Sequence, residues 1–223
     1  MIDIHSHLLH GIDDGPDNID DSLEIIRHLS SFGFTQLIPT PHKFHILFDP
    51  TPAEVNAKVM ELKRSIIKRF SFEYFCNVPQ IKKVEDHYEL SVIKDGKKVI
   101  LVEFPAMVLR KDFVEDKISA LNQAGFVPLI AHIERYGKSD EFWAELKGKY
   151  QLYLQGGIKA FARPFYDNSK KQLMRMIRAG LIDNLATDIH SVSQLPKVEK
   201  AIDFIMKEYR GEYKKFFADS FEH

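Results

Sequence analysis

Two periods take turns along this chain. Short apolar runs of strand length, "MIDIH", "TQLIPTPH", "FEYFC", "VILVEF", "VPLIAH", "QLYLQ" and "NLATD", are separated by longer stretches in which apolar residues recur every three or four positions. The first such stretch, "DNIDDSLEIIRHLSSFG", has acids in its first turn, Ile19, Leu23 and Ile26 at helical spacing, and Gly33 as a stop. The second, "TPAEVNAKVMELKRSIIKRF", opens with Thr51, Pro52 and Glu54 in a capping-box pattern, with Val55, Val59, Leu62 and Ile66 as its buried stripe. Further helices are expected from about Asp112 to Ala124, Asp140 to Lys147, Asn168 to Ala179 and Pro196 to Tyr209. The rhythm breaks between Tyr88 and Phe104, where Asp95-Gly96 between two apolar or alternating runs predicts a hairpin. Stacked βα units with about seven strands predict an α/β fold, a single distorted barrel domain over residues 1–223.

Composition narrows the chemistry. With 223 residues and 44% hydrophobic content the chain fills a substantial core, and a net charge of -1 gives no basic surplus for nucleic acid, although a local basic patch stays open. The single cysteine, Cys76, excludes an intrachain disulfide and a cysteine-rich zinc site, so any metal is held by nitrogen and oxygen. No signal-peptide pattern and no run of 18 apolar residues are present, which predicts a soluble, cytoplasmic protein without membrane insertion.

Polar residues gather at strand ends. In a strand, alternation puts His5 and His7 on one face, where two imidazoles grip a metal ion or simply sit as polar residues at the strand end. By itself the pair divides evenly between these readings. His42, Glu103, His132, Asp188 and His190 close later apolar runs, and in a parallel barrel the carboxyl ends of the strands converge on one face. Seven nitrogen and carboxylate ligands exceed the need of one ion. Two or three divalent ions with Glu103 bridging are expected.

The segments "IDIHSHLLHGIDDG", "TPH", "LVEFP", "AHIERY" and "TDIH", in this order, resemble the polymerase-and-histidinol-phosphatase (PHP) superfamily. More narrowly, they are similar to its bacterial manganese-dependent protein-tyrosine phosphatases of the capsule and exopolysaccharide regulatory type. The resemblance implies a distorted (β/α)7, TIM-like barrel of the PHP type. It also implies a trinuclear site on His5, His7, His42, Glu103, His132, Asp188 and His190. Two departures stand out. Lys43 replaces a histidine that many relatives carry, and "FCNVPQ" stands where relatives end the third strand with a ligating glutamate. No acid lies between Cys76 and Lys83, and Glu85 is too far along, so one ligand is expected to be missing. Water, Asn77 or Gln80 would then complete a labile third site of reduced activity.

Bridged divalent ions, manganese or else iron, zinc or magnesium, suit hydrolysis of a phosphate ester. Cys76 lacks the Gly-rich phosphate loop and following arginine that a cysteine nucleophile needs. Arg135 offers a bidentate fork to phosphate oxygens, or else a surface salt bridge to Glu134. Asp13 and Asp14 either orient a ligand histidine or donate a proton to the leaving group, or else form an Asx turn between Gly11 and Gly15. Asp14 is taken as catalytic with Arg135, and His10 and His45 are possible substrate contacts. The resemblance implies a tyrosine-phosphorylated protein as substrate, a bacterial tyrosine kinase tail in the regulation of polysaccharide synthesis. The alternatives are a small-molecule phosphatase of the histidinol-phosphate type and a degenerate relative that binds phosphopeptide with little turnover.

Overall fold

The computed structural model describes residues 1–62, 66–67, 69–75, 92–94, 96–105, 109–217 and 221–222. The apolar runs form β1 (Ile2–Ser6), β2 (Gln36–Pro39), β3 (His42–Lys43), β4 (Glu73–Phe75), β5 (Val92–Lys94), β6 (Lys97–Glu103), β7 (Phe126–Ile130), β8 (Tyr153–Gly157), β9 (Asn184–Ala186) and β10 (Phe221–Glu222). Between them run α1 (Ile19–Ser31), α2 (Pro52–Leu62), α3 (Lys111–Gln123), α4 (Asp140–Lys149), α5 (Asn168–Arg178) and α6 (Leu195–Tyr209). Helix starts follow their caps. Asn18 accepts from Asp21 N at 3.0 Å, and Thr51 and Glu54 form the reciprocal box, with Thr51 N on Glu54 Oε2 at 2.7 Å and Glu54 N on Thr51 Oγ1 at 3.3 Å.

The strands pair in parallel as β1–β2, β3–β4, β4–β6, β6–β7, β7–β8 and β8–β9. Among the described residues, helices fill the crossovers β1–β2, β3–β4, β6–β7, β7–β8 and β8–β9, as an α/β fold with a parallel sheet requires. The expected hairpin runs the other way: β5 and β6 pair antiparallel, with Gly96 at φ 71° in the left-handed region, and β10 adds to β5, also antiparallel. Asp95 and the residues from Tyr88 to Ser91 lie outside the described residues. Backbone bonds also tie β1 to the end of β9, with Asp188 N on His5 O and His7 N on Ile189 O, both 2.9 Å. On its other side β1 leads through Thr40 N on Ser6 O (2.8 Å), and β2 reaches the β4 segment through Ser71 N on Pro39 O (3.0 Å).

Period-two alternation divides the core. Ile100 and Val102 join the large cluster shared with the helices, whereas Val99 and Leu101 join Ile4, Ile38, Val127 and Leu129 in a smaller one. Glu103 continues the Val99–Leu101 face and so projects from its end. On α1 the buried residues are Ser22, Ile25, Ile26 and Leu29, so the contact face is rotated from the expected stripe and Ile19 and Leu23 flank it. The α2 stripe keeps Val55 and Leu62, while Ile66 lies beyond that helix. Among the described residues no helix is long and apolar enough to cross a membrane.

Gly156 lies where β8 packs beneath α5. A Cβ there would sit 2.4 Å from Leu173 Cδ1 and 2.9 Å from Leu185 Cδ2, both fully buried. Gly156→Ala should therefore destabilise the fold by about 1–3 kcal/mol. Urea unfolding should read this as a lower midpoint at unchanged slope, and an unchanged midpoint would show that these leucines yield freely.

Candidate metal centre

Histidines at the end of β1 are aimed by partners behind them. His5 Nδ1 lies 2.7 Å from Gln155 Oε1 on β8, and His7 Nδ1 lies 2.6 Å from Asp13 Oδ2. Each contact leaves Nε2 facing inward, and the two Nε2 atoms approach to 3.3 Å. Asp13 realises both readings of the "GIDDG" loop at once. Its Oδ1 accepts from Gly15 N at 3.0 Å as an Asx turn, and its Oδ2 also accepts from His42 N at 3.1 Å, tying this loop to β3. A Cβ on Gly15 would lie 2.2 Å from His7 O, so only glycine lets the loop fold this close.

Glu73 occupies the middle of the site and corrects the expectation of a missing ligand. It opens β4, with its side chain 1% exposed; Oε1 lies 3.3 Å from His5 Nε2 and 3.4 Å from His132 Nε2, while Oε2 lies 3.2 Å from His7 Nε2 and 3.1 Å from His42 Nδ1. The third strand therefore supplies its carboxylate from its first residue, three positions before Cys76. The sequence reading looked after the strand because the other polar residues close theirs. Cys76, Asn77, Val78, Pro79, Gln80 and Glu85, invoked in that reading, lie outside the described residues. The expected labile third site loses its basis.

All seven sequence-predicted ligands come together around Glu73. His132 Nε2 also faces Glu103 Oε1 at 3.4 Å, and Asp188 Oδ1 lies 3.4 Å from His5 Nε2 and 3.6 Å from His190 Nδ1. Asp14 Oδ1 sits 3.4 Å from both His42 Nε2 and His190 Nε2. Three overlapping sets have donor atoms within 4.8 Å of one another: His7, Asp14, His42 and His190; His5, His7 and Glu73; and His42, Glu73 and Glu103. Both Glu73 oxygens and His42 Nδ1 are buried without a hydrogen-bond partner. Such groups cost several kcal/mol when left alone, and their convergence fits divalent cations bound through nitrogen and oxygen.

Electrostatics follow from this crowding. Burial opposes ionisation of Glu73 and Asp188, yet neighbouring histidines, with Lys159 and Arg135 beside Asp188, hold both carboxyls below their ordinary values. Burial and the Glu73 charge push Glu103 up. Asp14, despite partial burial, is held at about 2 by His42 and His190, so it is ionised at neutral pH. Two of these residues stand on uncommon backbone: His132 at φ 33° and Asp188 at φ 48°.

Arg135 pairs with Asp188 Oδ2 and not with Glu134, whose Oε2 accepts from Gly157 N at 3.2 Å. Lys43 turns away from the centre to Asp49 Oδ1 (2.7 Å) and Pro50 O (3.0 Å). His10 is engaged with Glu61 Oε2 at 2.9 Å, whereas the His45 ring stacks 5.2 Å from that of His42 and borders the centre. Sequence reasoning missed Glu73, Gln155 and Lys159. An unpaired acid inside the aromatic run "FSFEYFC" was the available signal for the first.

The family described as "Capsular polysaccharide synthesis, CpsB/CapC" matches residues 1–220. The tyrosine-protein phosphatase YwqE of Bacillus subtilis is 28% identical, covering 95% of this chain and 86% of the relative. The tyrosine-protein phosphatase CpsB of Streptococcus pneumoniae is 25% identical, covering 99% and 96%. A crystal structure from work on YwqE and CpsB, described there as metal-dependent tyrosine phosphatases, matches with a TM-score of 0.79 at 27% identity, covering 96% of this chain and 89% of that one.

Asp13→Ala removes the carboxylate behind His7 and should weaken metal affinity about 10–100-fold. Competition with a chelating dye measures it. Unchanged affinity would reduce Asp13 to a loop cap.

Proposed function

The chain belongs to the capsular polysaccharide synthesis CpsB/CapC family, and from that premise we propose that it is a metal-dependent protein-tyrosine phosphatase. The observation that carries the proposal is Glu73, a buried carboxylate whose two oxygens lack hydrogen-bond donors and face four histidines from three segments of the sheet. Two or three divalent ions, manganese foremost with iron, zinc or magnesium as alternatives, would be held by His5, His7, His42, Glu73, Glu103, His132, Asp188 and His190. Asp14 joins them from the first loop, as an ionised carboxylate and not as the proton donor. Glu73 holds the central place among the histidines, where the spacing had put Glu103. When bound, such ions supply an activated water and neutralise charge on the transferring phosphoryl group.

The chain's own groups do the rest. Gln155 and Asp13 fix the ring orientations of His5 and His7, so little reorganisation accompanies binding. Arg135 lies beside Asp188 with its side chain 44% exposed, which leaves guanidinium donors free for non-bridging phosphate oxygens. His45, Phe48 and Phe75 form an aromatic wall next to His42, with ring centroids 5.2 Å (His45–Phe75) and 5.4 Å (His45–Phe48) apart. An aryl phosphate ester can pack there, whereas an aliphatic phosphate gains less. The fitting partner is a tyrosine-phosphorylated protein segment, and a kinase tail in polysaccharide synthesis suits the family description. The backbone bonds from β9 to β1 and from β2 to β4 support a closed, seven-stranded barrel of the PHP type forming a single domain.

Manganese-loaded protein should hydrolyse phosphotyrosine peptides at least about tenfold better in kcat/KM than phosphoserine peptides or histidinol phosphate. Chelation should abolish the activity and added manganese restore it. Equal turnover of histidinol phosphate would move the assignment to a small-molecule phosphatase, and tight peptide binding without turnover would make the protein a binder.

A further inference from the structure

A second chamber opens on the far side of Arg135. It is a cavity of about 410 Å³ to which four cationic side chains contribute, Arg135, Lys159, Arg163 and Lys197, against one acid, Glu134. None of the histidines or carboxylates of the metal centre lines it. In a chain of net charge -1, this is the local basic patch that composition left open.

The chamber is built to stay positive. Glu134 offsets little, because it is buried and its carboxyl is engaged by Gly157 N at 3.2 Å. Lys159 is held by Gln194 Oε1 at 3.0 Å and by Asp188 Oδ2 at 3.3 Å, which fixes a cation at the boundary between chamber and metal centre. Lys197 is exposed in the first turn of α6, and that turn contains no acid. A cation there lies against the positive end of the helix dipole, an arrangement that costs stability unless an anion arrives. Among the described residues Arg163 pairs with Asp167 at 3.4 Å, a half-exposed contact that solvent makes weak.

We propose that this cavity is a specificity subsite for an anionic side chain of the substrate, a carboxylate or a second phosphate, flanking the phosphotyrosine in the metal centre. The proposal rests on the phosphatase reading. Arg135 and Lys159 both contact Asp188, so the subsite adjoins the reacting group directly and one peptide spans both. Arg163 and Lys197 lie away from the metal centre and select substrate without touching the reaction.

The test compares Lys197→Ser and the double variant Arg163→Ser/Lys197→Ser with the parent, all loaded with manganese, on four substrates. These are p-nitrophenyl phosphate, a phosphotyrosine peptide with neutral flanks, one with Asp and Glu flanks, and one with a second phosphotyrosine. The expected result is a KM raised about 5- to 20-fold for one or both anionic peptides, with kcat unchanged and the first two substrates unaffected. The peptide that shifts identifies carboxylate or phosphate as the occupant. Equal shifts on all substrates, or none on either anionic peptide, would overturn the subsite. If no substrate is hydrolysed, the phosphatase reading fails by itself. Fluorescence anisotropy of a labelled peptide with acidic flanks then decides: salt-sensitive binding lost in the double variant supports an anion site, and indifferent binding refutes it.

Discussion

A buried carboxylate without a hydrogen-bond donor organises this molecule. Glu73 is surrounded by ring nitrogens from β1, β3 and the end of β7, and none of them is placed to donate to it well. Removing a carboxylate from water is expensive, and the interior repays it only through positive charge. The surrounding strands therefore form a frame suited to positive charge, and the supports behind the histidines make sense as devices that keep that frame fixed.

Those supports link distant parts of the chain. Gln155 reaches His5 from β8, and Asp13 reaches His7 and the backbone of β3 from the first loop. Asp3 accepts from Thr187 N at 3.2 Å beside the carboxyl end of β9, next to the bend that carries Asp188. The left-handed backbone at His132 and Asp188 is sustained by the same dense bonding. The parallel sheet supplies the rigidity, and the site takes its geometry from strand ends that cannot move independently.

The βα rhythm was legible because helix and strand periods differ so plainly here, and because caps such as Thr51–Glu54 are local chemistry. The face of α1 was less so. Ser22 is small enough to be buried at a close contact, so the packed stripe turned away from Ile19 and Leu23, and apolar spacing alone does not carry that information. Seven centre residues could be read because each follows an apolar run at a strand end. Glu73 broke the rule: β4 is so short that its first residue already reaches the cleft. Gln155 and Lys159 were invisible for a different reason, since only the folded sheet, with β9 between β8 and β1, brings Gln155 to His5 and Lys159 to Asp188.

Charge then explains why metal centre and basic chamber adjoin. Four carboxylates face the centre, Asp14, Glu73, Glu103 and Asp188, and histidines that ligate are neutral. Two divalent ions would balance them, and a third would leave an excess that a phosphate dianion can satisfy. Arg135 and Lys159 already pull on Asp188 from outside, so this carboxylate would be shared between bound ions and the cations of the chamber. Sharing weakens its hold on any one partner and spreads positive potential outward, towards Arg163 and Lys197. An anionic segment docked as proposed would meet cations before the centre, and the same charges that steer it would order its register across the two sites.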